Sequence, residues 1–256
     1  MELIDSHTHL YLEEFDADRD AVIQRAQALG VQKFLLPAID ASYTPRMLQM
    51  QADYPNVVAL MTGLHPTHVK ENYKEELAHV SEQLQEGNSI AVGEIGIDLY
   101  WDTSFLTQQQ DAFDTQIRWA KAHKLPIAIH CRAALEEVFE VLEGHKGPDL
   151  KGIFHCFTGT IEDAHRAIDC NMLLGIGGVV TFKNGNIDTF LAEIPMRHIA
   201  LETDAPYLAP VPYRGKRNES AYLMEVVQRL AQVYDCTPEA IAQQTTANVK
   251  AVFELL

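Results

Sequence analysis

Eight short apolar runs, most of them followed by a longer stretch whose apolar residues recur at helical spacing, succeed one another from the first residues to the last. The runs predicted as strands are Leu3–Thr8, Gln32–Ile39, Val57–Leu64, Ile90–Ile97, Ile127–Cys131, Gly152–Cys156, Met172–Gly177 and His198–Thr203. They are apolar on consecutive rather than alternate residues, so both faces should be covered, as in a parallel sheet with helices outside. The segments between them carry helical signals. Beyond Thr107, Phe113, Ile117 and Ala120 share one stripe, and His123 and Lys124 suit the negative end of that helix. Leu223, Val226, Val227, Leu230 and Val233 form a second stripe, and a last helix begins with Thr237 placed to cap it and Pro238 in its first turn.

Eight alternations of strand and helix allow a closed barrel or an open doubly wound sheet. No Gly-x-Gly-x-x-Gly follows the first strand, whereas polar residues gather at the C-terminal ends of at least six of the eight strands, where a barrel assembles its active site. The prediction is an α/β fold, a (β/α)8 TIM-like barrel. The chain's 256 residues match the length typical of one such barrel, and no low-complexity tract divides them, so residues 1–256 read as a single domain.

Composition narrows the setting. No basic segment followed by an apolar stretch opens the chain, and no apolar run reaches the length of a membrane span, which predicts a soluble, cytoplasmic protein with no membrane partner. Cys131, Cys156, Cys170 and Cys236 have neither metal-site nor disulfide-framework spacing, so reduced, mostly buried thiols are expected. Twenty basic against thirty-six acidic side chains give a net charge of −16, which argues against a passive nucleic-acid coat. It leaves room for an enzyme that draws phosphate into a local cationic site.

Ligand-type residues end five of the predicted strands. His7 and His9 stand two apart, so both imidazoles project to one side of a strand. Glu94 ends an apolar run between Gly93 and the pair Ile95-Gly96, where a carboxylate is costly to bury unless it meets a cation. His130, His155 and Asp204 close three further runs. Any one of these residues could be an ordinary core or turn group; their common position argues for a metal centre. Six ligands exceed what one tetrahedral ion needs, which favours two divalent cations sharing a carboxylate, and Glu94 is the candidate bridge because a carboxylate has two oxygens to share. Imidazole-rich coordination points to zinc or manganese, and the carboxylates admit magnesium.

Seven motifs in order resemble those of the TatD-type deoxyribonucleases, within the wider metal-dependent amidohydrolase superfamily. They are Asp5-Ser6-His7-Thr8-His9, Gly63-Leu64-His65-Pro66, Gly93-Glu94-Ile95-Gly96-Ile97-Asp98, Ile129-His130-Cys131-Arg132, His155-Cys156-Phe157-Thr158-Gly159, the run from Leu201 to Leu208, and the run from Arg214 to Glu219. The resemblance implies a TIM-like barrel and metal-dependent hydrolysis of DNA phosphodiesters, often from the 3′ end of single strands. It further implies that His7, His9, Glu94 and Asp204 surround one ion and Glu94, His130 and His155 the other. His65 would then reach the substrate phosphate, with Arg132 and Arg214 as further phosphate-binding residues. This chain has Ala133 where the family usually has Asp after His-x-Arg, and Ser220 where it usually has Pro after Asn-Glu. The first change removes an acidic partner from Arg132, and the second is expected to loosen a loop over the site.

The mechanism expected of such a site is attack by a cation-activated water on phosphorus, with Asp204 orienting or deprotonating the water. Glu202, on the same side as Asp204 if the strand continues, serves either as a partner of a ligand or in a salt bridge at the barrel mouth. Tyr100 and Trp101 read as packing under a loop, with stacking on a base as the alternative. DNA is the expected substrate and no obligate protein partner is evident. Hydrolysis of a small ester, lactone or amide is the rival enzymatic reading, favoured by the charge of −16. A metal-stabilised, non-catalytic binding protein is the least favoured reading, since six ligands over two ions leave coordination positions open.

Overall fold

A computed structural model describes residues 1–255; Leu256, the last residue of the predicted domain, lies outside the described residues. The strands are β1 (Leu3–Asp5), β2 (Val31–Leu36), β3 (Val58–Thr62), β4 (Ser89–Asp98), β5 (Ile127–Arg132), β6 (Gly152–Phe154), β7 (Met172–Ile176) and β8 (Ile199–Leu201). The helices are α1 (Arg19–Ala28), α2 (Thr44–Asp53), α3 (Tyr73–Glu86), α4 (Leu106–His123), α5 (Leu135–Gly144), α6 (Ile161–Asp169), α7 (Leu223–Val233) and α8 (Pro238–Phe253). All strand pairs are parallel and follow chain order from β1 to β8. The two edges then meet. Ser6 N–H donates to Leu201 O at 3.0 Å, Asp204 N–H to His7 O at 2.9 Å and His9 N–H to Ala205 O at 2.8 Å. This is the (β/α)8 TIM barrel, nearly closed. Among the described residues no helix is long and apolar enough to cross a membrane.

Two layers of packing hold it. One buried residue from each strand, Ile4, Leu35, Met61, Ala91, Ala128, Ile153, Leu173 and Ala200, fills the interior, with Val249 and Phe253 of α8 in the same cluster. A larger cluster lies between strands and helices and contains Phe113, Ile117 and Ala120 of α4 and Leu223, Val226, Val227 and Leu230 of α7, as their spacing predicts. The Thr237 hydroxyl accepts from Ala240 N–H and Pro238 opens α8, also as predicted.

Two residues beyond the interior residue of β5, β6 and β8 stand His130, His155 and Glu202, so strand periodicity carries them onto the inner face at the next level. Small residues make room there. A methyl group added at Gly175 of β7 would lie 2.3 Å from Glu202 Oε2, and one added at Gly63 would lie 2.9 Å from the Gly93 carbonyl carbon. Glu94 reaches this level by a different device. Gly93 and Ile95 pair with the consecutive residues Ala128 and Ile129, so Glu94 is the extra residue of a bulge, which re-aims its side chain.

The fold departs from strict alternation in two places. Between β7 and β8 the chain makes short 3-10 turns instead of an α-helix, and both α7 and α8 follow β8. That connection contains Gly177-Gly178, Asn184-Gly185 and Pro195, which interrupt any helical stripe. The ladders also end before the predicted runs do. β1 stops at Asp5, β6 at Phe154 and β8 at Leu201, because beyond the last rung the chain splays to build the mouth, so His7, His9, His155 and Asp204 stand just past strand ends. Asp204 has φ +56°, so β8 does not continue to it as the strand argument for Glu202 assumed.

A buried side-chain pair adds to the backbone bonds across the seam between β1 and β8. Asp5 accepts from the Thr203 N–H at 2.9 Å and from its hydroxyl at 2.6 Å. Thr203→Val removes the hydroxyl donor and leaves a buried carboxylate oxygen short of a partner, so urea unfolding should show a loss of about 1–3 kcal/mol. An unchanged midpoint would mean that the seam does not rely on this pair.

Candidate metal centre

Glu94 is buried at the centre of the mouth, and its two oxygens face different imidazoles. Oε2 lies 3.1 Å from His7 Nε2 and 3.7 Å from His9 Nε2. Oε1 lies 2.8 Å from His130 Nδ1, 3.4 Å from His65 Nε2 and 3.8 Å from His155 Nε2. Asp204 Oδ1 approaches the first set, 3.4 Å from His9 Nε2 and 3.9 Å from His7 Nε2, and is also 3.9 Å from His155 Nε2. The His7 and His155 rings stack at 3.5 Å and join the two sets. Compact donor groups are His7–His9–Glu94, His7–His155–Asp204, His65–Glu94–His130 and, behind the His155 ring, His155–Cys156–Glu202. His155 thus stands between the two sets, where the resemblance assigns it to the second.

Hydrogen bonds behind the rings decide which nitrogen faces the centre with a lone pair. Tyr11 donates its hydroxyl proton to Pro37 O at 2.7 Å, so it accepts from His9 Nδ1–H at 2.9 Å and leaves the His9 Nε2 lone pair for the centre. His130 Nε2 bonds Asp98 Oδ2 at 2.8 Å, which turns Nδ1 inward. His155 Nδ1 lies 3.0 Å from Glu202 Oε1, an oxygen that also accepts the Cys156 N–H at 2.7 Å. His65 is the exception. Its Nδ1 accepts the Thr67 N–H at 3.1 Å, so the neutral ring carries its proton on Nε2 and presents a donor instead of a lone pair. Burial lowers the His65 pKa to about 4, against the opposing pull of Glu94, and keeps it neutral.

The electrostatics call for positive charge. Burial alone would raise the Glu94 pKa, yet His7, His65 and His155 hold it well below the usual carboxylate range. Burial likewise opposes ionisation of Asp204, and His155 and His9 outweigh it. Burial pushes His155 down, but Glu202, Glu94 and Asp204 overcome this and lift it to about 10. His130 is raised too, because hydrogen bonds to Asp98 and Glu94 exceed the cost of burying its charge. Glu202 Oε2 and His7 Nδ1 are buried without hydrogen-bond partners, while His155 Nδ1 has Glu202 Oε1 as its near neighbour. The imidazole and carboxylate donors that face the centre, gathered around one carboxylate, fit divalent cations.

The structure therefore brings together His7, His9, Glu94, His130, His155, Asp204, His65 and Glu202. Asp98 and Tyr11 join them although sequence reasoning had not singled them out; a signal existed in the spacing, since Glu94, Gly96 and Asp98, like His7, His9 and Tyr11, are two residues apart. Arg132 and Arg214 lie outside the cluster. The Arg132 guanidinium sits 3.9 Å from the centre of the Tyr100 ring, and that of Arg214 is 3.7 Å from the Phe182 ring and donates to Ala209 O. Arg217 is paired with Asp18. Tyr100 and Trp101 do not pack under their loop: they are 58% and 70% exposed, because Asp98 holds that turn through its backbone amides. The loop bearing Ser220 is fastened without a proline, by Asn218 Nδ2 donating to Thr203 O and Tyr207 O at 2.7 Å each and by Glu219 pairing with Arg25.

Known proteins share this architecture. The family model described as TatD related DNase matches residues 4–254. The chain is 38% identical over 254 residues to YabD of Bacillus subtilis (strain 168), an uncharacterized metal-dependent hydrolase, covering 99% of each. It is 31% identical over 261 residues to the 3'-5' ssDNA/RNA exonuclease TatD of Pantoea ananatis (strain LMG 20103), covering 99% of this chain and 100% of that one. Among solved structures, the TatD homologue YjjV of Escherichia coli K12 superposes with a TM-score of 0.93 at 29% identity, covering 99% and 98% of the two chains.

A cation that binds the folded centre and not the unfolded chain must stabilise the fold, by about 4 kcal/mol at a thousand times its dissociation constant. Manganese, zinc or magnesium added to metal-stripped protein should raise the thermal midpoint by several degrees, and a chelator should reverse the gain. A midpoint indifferent to all three would count against a metal centre here.

Proposed function

The chain belongs to the TatD-related DNase family of metal-dependent hydrolases, and from that premise we propose that it is a deoxyribonuclease that removes nucleotides from the 3′ end of single-stranded DNA. The observation that carries the reading is the division of Glu94, with one oxygen toward His7 and His9 and the other toward His130 and His155. The name of the Pantoea ananatis relative supports the nucleic-acid substrate and the polarity. The free cysteines fit a cytoplasmic enzyme, and in this reading residues 1–256 act as one domain.

In this reading His7, His9, Glu94 and Asp204 hold one divalent cation and Glu94, His130 and His155 a second, of magnesium, manganese or zinc. Bound there, the cations supply positive charge that acidifies water and offsets charge on the phosphate oxygens. The protein's own groups do the rest. Asp204, held ionised by His155 and His9, orients the attacking water and accepts its proton. His65 offers its Nε2–H to a phosphate oxygen, a role its tautomer suits. Glu202 and Tyr11 fix the rings of His155 and His9, and Asp98 fixes that of His130. Arg132 and Arg214, on the rim, meet flanking phosphates. The charge of −16 favours the second reading, hydrolysis of a small ester, lactone or amide.

The test is release of label from a 3′-labelled single-stranded oligonucleotide by metal-stripped protein restored with each cation in turn. Asp204→Asn should lower kcat by about a hundredfold or more. DNA left intact under every cation, with the cations shown to be bound, would overturn the nuclease in favour of the small-molecule substrate. Tyr11→Phe keeps the ring and removes the hydroxyl, so cation affinity measured by calorimetry should fall about 10–100-fold. Unchanged affinity would remove Tyr11 from the account.

A further inference from the structure

Three aromatic side chains among the described residues are strongly exposed, Tyr100, Trp101 and Tyr207, and all three lie on loops that follow the C-terminal ends of β4 and β8. They are on the rim of the metal centre and nowhere else. Tyr207 stands against His9, with ring centres 6.1 Å apart. Tyr100 and Trp101 form an edge-to-face pair with centres 5.0 Å apart. An indole left 70% exposed gains nothing for the fold, since it buries little apolar surface.

The pair is nevertheless held in place. Asp98 Oδ1 accepts the N–H groups of Tyr100 and Trp101 at 3.0 and 3.2 Å, while Oδ2 of the same carboxylate holds His130 at 2.8 Å. One side chain thus ties the aromatic turn to the ring that faces Glu94. Beside the pair lies Arg132, two residues beyond His130 on β5, its guanidinium 3.9 Å from the centre of the Tyr100 ring and 5.3 Å from that of Trp101. With Ala133 as its neighbour, no carboxylate lies within ion-pair distance of Arg132 among the described residues, and its contacts are with the two rings.

We infer that Trp101 is the stacking platform for an unpaired nucleobase of the substrate strand, and that Arg132, braced on Tyr100, meets the phosphate attached to that nucleotide. The inference rests on the nuclease reading and deepens it. An open indole face beside a cation whose N–H groups are free of carboxylates complements a flat ring carrying an anion, which is the chemistry of a nucleotide. The base must be unpaired, because a base inside a duplex has both faces covered by its neighbours. The platform therefore selects single strands, and it does so without a general basic surface, which reconciles a nucleic-acid substrate with a net charge of −16.

Trp101→Ala in the cation-loaded enzyme should raise KM for a single-stranded oligonucleotide about tenfold or more and leave kcat close to that of the parent. Trp101→Phe should restore most of the loss, because it keeps a stacking face. An abasic nucleotide scanned through the 3′-terminal positions should cost the parent enzyme a comparable factor at one position and cost Trp101→Ala nothing more there. A free mononucleotide that competes equally well with parent and Trp101→Ala would place the contact elsewhere and overturn the inference. So would an unchanged KM in Trp101→Ala with cleavage intact, which spares the nuclease reading. A parent enzyme that leaves every oligonucleotide uncut removes that reading and the platform with it.

Discussion

The buried carboxylate of Glu94 is the constraint around which the rest of this protein is arranged. It is 2% exposed, and a carboxylate taken from water at that depth costs several kcal/mol unless charge and hydrogen bonds compensate. The barrel provides compensation from five strands. His7 and His9 come from the end of β1, His65 from the end of β3, His130 from β5, His155 from the end of β6 and Asp204 from beyond β8, so no local segment could build the site alone. The bulge at Glu94 matters as much as the ligands. Without the extra residue, strand periodicity would send the side chain to the opposite face.

The surrounding residues decide what each imidazole offers. His9 and His65 are both histidines near Glu94, but Tyr11 takes the proton side of one and the Thr67 amide takes the lone pair of the other. The first thereby turns a lone pair toward Glu94 and the second an N–H, a distinction that residue type alone does not contain. Asp98 and Glu202 act on His130 and His155 in the same manner as Tyr11 acts on His9. Asp98 extends the arrangement outward, since its other oxygen sets the turn that carries Tyr100 and Trp101. Centre and rim are thus joined through single side chains.

Much of this was legible in the sequence. The strand runs located all eight strands, and the six ligand-type residues at strand ends are gathered around one carboxylate. What escaped is physically instructive. The alternation of strand and helix does not extend to the β7–β8 connection, where Gly177-Gly178 and Pro195 interrupt a helix and the chain makes 3-10 turns. The strand argument placed Glu202 and Asp204 on one side; the strand ends at Leu201, and both reach His155 because Asp204 turns back with a positive φ. Tyr100 and Trp101 are expected to pack under a loop, with stacking on a base as the alternative, yet they are 58% and 70% exposed. Their exposure depends on Asp98 closing the turn from below, a long-range hydrogen-bonding fact that hydropathy does not carry.

In the proposed reading two divalent cations would be held on either side of Glu94, one by the groups at His7 and His9 and the other by those at His130 and His155. Crystals grown with manganese, with data collected at its absorption edge, test this most directly. The claim predicts two anomalous peaks per chain, each within bonding distance of a different oxygen of Glu94, one toward His7 and His9 and the other toward His130 and His155. A single peak, or two peaks of which only one touches Glu94, would contradict it.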